Sequence, residues 1–265
     1  MVKQLYVELV ALTDSYKKSI DVAYTKLEEF GDKTQKVGKT LTAGVTLPLI
    51  ALGFTSVKAA SDLEESMNKV DVAFKTSAIE VKKFADQSLN AYGISKGNAL
   101  EMASLFGDMA TSMGLPTDKA ALMSTALVGL TADMASFKNV SNEVASNALK
   151  GIFTGEGESL KSLGIVMQDS TLKAYALSKG VKVAYEDMDQ ASKVSLRYAF
   201  VMDAAKNAQG DFARTAGGAA NQMRSFPQVL DEIRTSFGEF ILPMFTEGIT
   251  KINGLLKAFN SLDAD

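Results

Sequence analysis

The 265-residue sequence contains no cysteine, histidine or tryptophan, and only four prolines. Each absence removes a kind of chemistry. Without histidine there is no Ser-His-Asp or Cys-His nucleophile pair and no imidazole-ligated metal site. Without cysteine there is no thiol catalysis, no thiolate zinc site and no disulfide, so the redox compartment leaves no trace. Carboxylates, Lys, Tyr, Ser and Thr remain as candidate catalysts. A basic surplus is missing as well: the net charge is -3. Proteins that hold nucleic acid by neutralising phosphates usually carry such a surplus, so direct, sequence-specific nucleic-acid binding is not expected. Glu8, Asp14 and Asp21 interrupt any apolar signal-peptide core, and secretion by that route is not expected. No cofactor is indicated.

What is present points to helix. Hydrophobic residues make up 46% of the chain, enough for a core in one large domain or two small ones. Few prolines beside many Ala, Leu, Lys, Glu and Met residues favour an all-α fold. The exception is Lys3 to Ala11, where Leu5, Val7 and Leu9 alternate with Tyr6 and Glu8 as on a short strand. An amphipathic helix follows. Its residues Tyr16, Ile20, Ala23, Leu27 and Phe30 step by fours and threes, the spacing of a coiled-coil seam. Two readings fit that stripe: packing within its own domain, or self-association. Residues 1–39 thus form a strand-plus-helix unit.

Residues 40–57 carry no charge. That run approaches the ~20 residues of a membrane-spanning helix. Gly44, Pro48 and Gly53 weaken the case, and a bent apolar connector buried in protein is the plainer reading. Leu47, Leu49, Ile50, Leu52 and Phe54 are the candidate membrane-contact residues.

Residues 58–210 read as a compact α-helical domain entered at Val57. Val57, Ala60, Leu63, Met67, Val70 and Phe74 form one apolar face. Ser77 and Glu80 have capping-box spacing. Gly93 and Gly97 punctuate, and the stripe Leu100, Ala103, Phe106, Met109 and Met113 ends at Gly114 and Pro116. Met123, Leu127, Leu130, Met134 and Phe137 line the next helix, and another starts near Ser141. Asp187 and Gln190 form a second possible box before Val194, Tyr198, Val201 and Ala205. The methionines fall at helical spacing beside Leu and Phe, as core residues do. Residues 211–265 read as a Gly/Ala hinge and a long kinked amphipathic helix. Val229, Ile233, Phe237 and Phe240 line one face, Pro243 interrupts, and Phe245, Ile249, Ile252, Leu256 and Phe259 resume the fours and threes. With Tyr16, Ile20, Leu27 and Phe30, the residues Ile233, Phe237, Phe245, Ile249, Ile252, Leu256 and Phe259 are candidates for self-association, and a homo-oligomer is expected.

Two segments stand out. GIFTGEGESLKSLGI (Gly151 to Ile165) sets Gly155 and Gly157 between apolar runs, and QGDFARTAGGAANQMRSF (Gln209 to Phe226) contains Gly217 and Gly218 among alanines. These four glycines are the candidate hinges. No Lys-Ser/Thr ending follows them, as a phosphate-binding loop would require. Glu158-Ser159 with Gly164 to Gln168 faintly resembles elements of lytic transglycosylases, in which one glutamate is the general acid. The spacing here is shorter and Val166 departs from that pattern.

Together with Leu41 to Val70, these segments resemble the tail tape measure proteins of long-tailed bacteriophages. The N-terminal alternation followed by Asp14 to Lys18 is similar too. The resemblance runs from about Leu41 to Phe240, and it lies in the order of the segments. It implies a structural virion protein made in the bacterial host cytoplasm, phage- or prophage-encoded. Tail tube and tail assembly proteins would be its partners, and its length would set tail length. It implies passage out of the tube at infection, with host membrane contact and help to DNA crossing the envelope. Members of that family are usually much longer, which implies a fragment, a defective prophage product or a ruler for a short tail. A peptidoglycan-cleaving enzyme using Glu158 and a helical pore-forming protein are the alternatives.

Overall fold

A computed structural model describes residues 47–262. The N-terminal strand and the stripe at Tyr16, Ile20, Leu27 and Phe30 lie outside them. Among the described residues every regular element is a helix. The helices are α1 (Leu47–Phe74), α2 (Ala78–Tyr92), α3 (Lys96–Ser112), α4 (Thr117–Lys138), α5 (Asn142–Leu149), α6 (Gly151–Thr154), α7 (Gly157–Leu160), α8 (Asp169–Ser178), α9 (Gln190–Ala204), α10 (Asp211–Thr215) and α11 (Ala219–Leu262). Single 3-10 turns follow α1 and α7 and precede α9.

Helix α1 as described already includes the apolar run from Leu47, ten residues before the domain entry expected at Val57. Pro48 and Gly53 both lie within this described helix. Farther along, the expected stripe is buried: Ala60, Leu63, Val70 and Phe74 are at most 2% exposed. Phe74 lies against the backbone of Gly107 on α3, where even a Cβ would meet its ring.

α4 is the central helix, with α2, α3, α5 and α10 packed against it. Every residue from Leu127 to Ala135 is buried. The one-sided stripe expected here is therefore an all-round buried surface, as befits a helix enclosed by neighbours. Phe137 departs from the expectation. It lies beyond the core at the end of α4, 47% exposed, with the Lys138 ammonium 5.3 Å from its ring. The core is built by residues from Leu63 to Phe212, and Phe106 stacks on Phe153 with centroids 5.9 Å apart.

Several boundaries follow from local chemistry. Gly93 and Gly210 take φ of 62° and 75°, left-handed values that cost glycine little. Ser141 accepts from the Val144 amide at 3.2 Å and caps α5. The two expected capping boxes do not form. Ser77 has a helical backbone, so its hydroxyl cannot take the cap position; the chain turns instead at Lys75, with φ 51°. Asp187 belongs to the 3-10 turn, and Asp189 accepts from the Ser192 amide at 2.7 Å in its place. Gly97 lies inside the first turn of α3 and ends nothing.

Candidate functional site

The long helix α11 carries five of the fifteen exposed large apolar residues among the described ones, more than any other helix. Met223 (77%), Phe226 (61%), Ile233 (56%) and Phe240 (66%) point into water, with Val229 beside them. Their spacing by threes and fours places them along one side. Phe237, the other self-association candidate in this half, is partly buried. Phe245, Ile249, Ile252, Leu256 and Phe259 continue the same helix. Pro227 and Pro243 both lie inside α11, so the carbonyls four residues before them lack their usual donor.

The inward side of α11 is polar and small. Asn221 is 3% exposed; its Nδ2 donates to Ser136 Oγ at 2.9 Å and to Thr215 Oγ1 at 2.8 Å. Arg224 Nε donates to the Val140 carbonyl at 3.0 Å, a cation at the C-terminal end of α4. One turn on, α11 reaches the N-terminus of α3. The Ser95 amide donates to Gln228 Oε1 at 3.1 Å, and the Lys96 amide donates to Glu232 Oε2 at 2.8 Å. Ser95 Oγ donates to Asp231 at 2.7 Å, and Asn98 Nδ2 donates to Gln228 Oε1 at 2.8 Å. Two carboxylates thus sit where α3 presents unpaired amides and the positive end of its dipole. Farther on, Thr235 and Gly238 are buried, and a Cβ on Gly238 would lie 1.8 Å from the Ser56 carbonyl oxygen of α1.

Between α1, α3 and α11 lies a cleft of about 250 Å³. Lys58, Asp62, Glu101, Asp231 and Arg234 line it with mixed charge. Lys58 and Asp62 pair at 2.6 Å. No group of three or more acidic residues suited to a metal ion occurs among the described residues.

The marker segment around Glu158 is a packed corner. Glu158 itself is 83% exposed and pairs with Lys161 at 2.6 Å. A glycosidic general acid needs an apolar pocket around its carboxyl, and Glu158 lies in water. A Cβ on Gly157 would lie 1.9 Å from the Met167 carbonyl oxygen, so close backbone approach is the reason for glycine there. Gly155 takes φ 81° against the guanidinium of Arg197. Arg197, buried without a carboxylate, donates to Tyr185 Oη at 2.9 Å and to the carbonyls of Ile152 and Phe153 at 3.4 and 3.1 Å. It thereby satisfies the carbonyl end of α6. Gly217 and Gly218 form the turn between α10 and α11, and Gly217 has open space around it.

Leu47, Leu49, Ile50, Leu52 and Phe54 all belong to the first turns of α1. The described part of the apolar run, Leu47 to Val57, spans about 16 Å at 1.5 Å per residue, roughly half a bilayer core. One described helix is long and apolar enough to cross a membrane, and it is the core helix α4, whose apolar window is 72% buried in the protein.

Sequence reasoning found the apolar face of α11 but missed its polar face. Asp231, Glu232 and Gln228 carry no local motif, because their partners lie more than 100 residues away. Arg197 and Asp133 were missed because their partners, 12 to 79 residues away, likewise form no local motif. Asp133 accepts from the amides of Gly210 at 2.7 Å and Phe212 at 3.1 Å. Comparisons with protein-family models, curated proteins and solved structures gave no match.

Proposed function

We propose that the chain is a structural protein of the phage tail tape-measure type. It sets tail length while tube subunits polymerise around it and aids DNA passage across the host envelope at infection. It resides in the virion tail, with tube and assembly proteins and further copies of itself as partners. The observation that carries this reading is the outward apolar stripe of α11 on a helix of 44 residues. Such a helix is about 66 Å long at 1.5 Å per residue. A stripe at coiled-coil spacing that its own domain leaves uncovered calls for other helices. The absence of histidine and cysteine and the solvent-exposed position of Glu158 favour a mechanical role over a hydrolytic one.

Two measurements test it. Light scattering on the purified chain should give an oligomer that Ile233→Asp with Phe240→Asp reduces to monomer. A monomeric native chain would remove the association. In a phage encoding the chain, in-frame duplication of residues 219–262 should lengthen tails by up to about 66 Å in electron micrographs. Unchanged tails would remove the ruler function.

A further inference from the structure

Helix α11 is docked on the body by the side opposite to the one that normally holds an amphipathic helix. Its large apolar residues Met223, Phe226, Ile233 and Phe240 face water. Among the described residues the buried core runs from Leu63 to Phe212 and includes none from α11. The helix is held instead at three points, the first of which includes Ser225 against Gly93 at the end of α2. Asn221 and Arg224 anchor its start to the end of α4. Gln228, Asp231 and Glu232 fasten its middle to the N-terminus of α3. Gly238 rests on the backbone of α1 at Ser56. Pro227 lies between the first anchor and the other two and removes one intrahelical hydrogen bond there.

We propose that α11 beyond Pro227 is a detachable arm, held by a polar latch and able to swing out as one unit while the body stays folded. Polar contacts exchange readily with water, and beyond Pro227 the apolar residues Leu230, Phe237, Ile241 and Leu242 are only partly buried, so opening forfeits less apolar burial than unpacking a core helix would. The latch is also selective. Ser95 is 1% exposed, and opening returns its amide and hydroxyl, with the Lys96 amide, to solvent together. Those groups then meet water where they had met Gln228, Asp231 and Glu232, while Leu127, Phe106 and the rest of the core keep their neighbours. The device does not depend on the tail assignment. It needs only the contrast between the two faces of α11.

Gly238→Ala tests unit motion from a distance. The added Cβ wedges α11 away from Ser56 and, alanine being the better helix former, leaves the helix itself intact. The Ser95 and Lys96 amides, whose partners Gln228 and Glu232 lie ten and six residues before Gly238, should then exchange with deuterium at least about tenfold faster, with the α4 amides near Val128 unchanged. Exchange at Ser95 and Lys96 equal to that of the native chain would overturn the arm. So would a parallel rise in α4, since the body would then be opening too. A second variant reads the latch directly. Cysteines at Asn90 and Glu239, placed in a chain without native cysteine, accept spin labels. Asp231→Asn with Glu232→Gln should shift and broaden the label distance to larger values. An unaltered distribution would show that the carboxylates hold nothing.

Discussion

In α4 nine consecutive residues, Leu127 to Ala135, are buried, and in α11 four large apolar residues face water over four to five turns. Both helices are long, and both carry apolar residues at helical spacing. The difference is what surrounds them. α4 is enclosed by α2, α3, α5 and α10, whereas α11 crosses the edge of that assembly and touches it through Asn221, Asp231, Glu232 and Gly238. Periodicity therefore reports that a helix has an apolar side. It does not report whether that side meets the chain's own core or something else. The body is specified by burial, the arm by polar contacts, and the two should respond differently to the same kind of substitution.

The largest contrast is a truncation in each. Phe106 is fully buried and stacked on Phe153. Phe106→Ala should cost about 3–5 kcal/mol of unfolding free energy, through lost transfer energy and the cavity left behind. Ile233→Ala on α11 should stay within about 0.5 kcal/mol, measured at a concentration where the chain is monomeric. Urea unfolding read by far-ultraviolet circular dichroism decides between them. Equal costs would mean that the exposed face of α11 is covered within the monomer, and the comparison would collapse.

A buried cation sharpens the contrast further. Arg197→Met removes the donors to Tyr185 Oη and to the Ile152 and Phe153 carbonyls, which hold the Gly155 corner. The expected cost is about 2–3 kcal/mol, since hydrogen bonds from charged groups are the stronger ones and the carbonyls are left unpaired. Arg234→Met, at an exposed position on α11, should shift the urea midpoint by less than the equivalent of about 0.5 kcal/mol. A small effect at Arg197 would mean that water reaches those carbonyls.

How much of this was legible depended on the range of the interaction. Local signals were readable: the α1 face from Ala60 to Phe74, the stop at Gly93 and the helix start near Ser141 are set within a few residues. Two local readings failed where a stronger turn stood nearby. The Ser77–Glu80 spacing yielded to the left-handed Lys75, and Asp187 yielded to Asp189. Helix α1 was read late because Pro48 and Gly53 looked like breakers, whereas both lie within it. The α11 stripe was visible, and its exposure was not, because exposure depends on the whole assembly. The polar contacts of Asp133, Arg197, Asp231 and Glu232 join elements far apart in sequence and leave no pattern at any one of their ends.

The smallest expected effect concerns the joint before the arm. Burial pushes the Asp133 carboxyl above its ordinary range, and the hydrogen bonds from Gly210 and Phe212 pull it only part of the way back. The folded protein therefore holds that proton more tightly than the unfolded chain does. Between the ordinary value of 3.8 and the raised one, the unfolded state binds fewer protons, so this group's contribution to stability is present at low pH and falls as pH rises through the window. Asp203 on α9 has the opposite sign. Its hydrogen bonds from Lys179 and Tyr175 hold the carboxyl below its ordinary range, so its contribution is present above 3.8 and is lost as pH falls. The two can be separated by substitution. Asp133→Asn carries a constant penalty for the weaker acceptor but no titration. Thermal midpoints of the native chain and Asp133→Asn, followed from pH 3.5 to 6, should therefore converge as pH rises, by at most about 1.4 kcal/mol per pH unit. Curves that stay parallel across that range would show that Asp133 is as well solvated folded as unfolded, and that the joint between α4 and α10 is open to water like the arm beyond it.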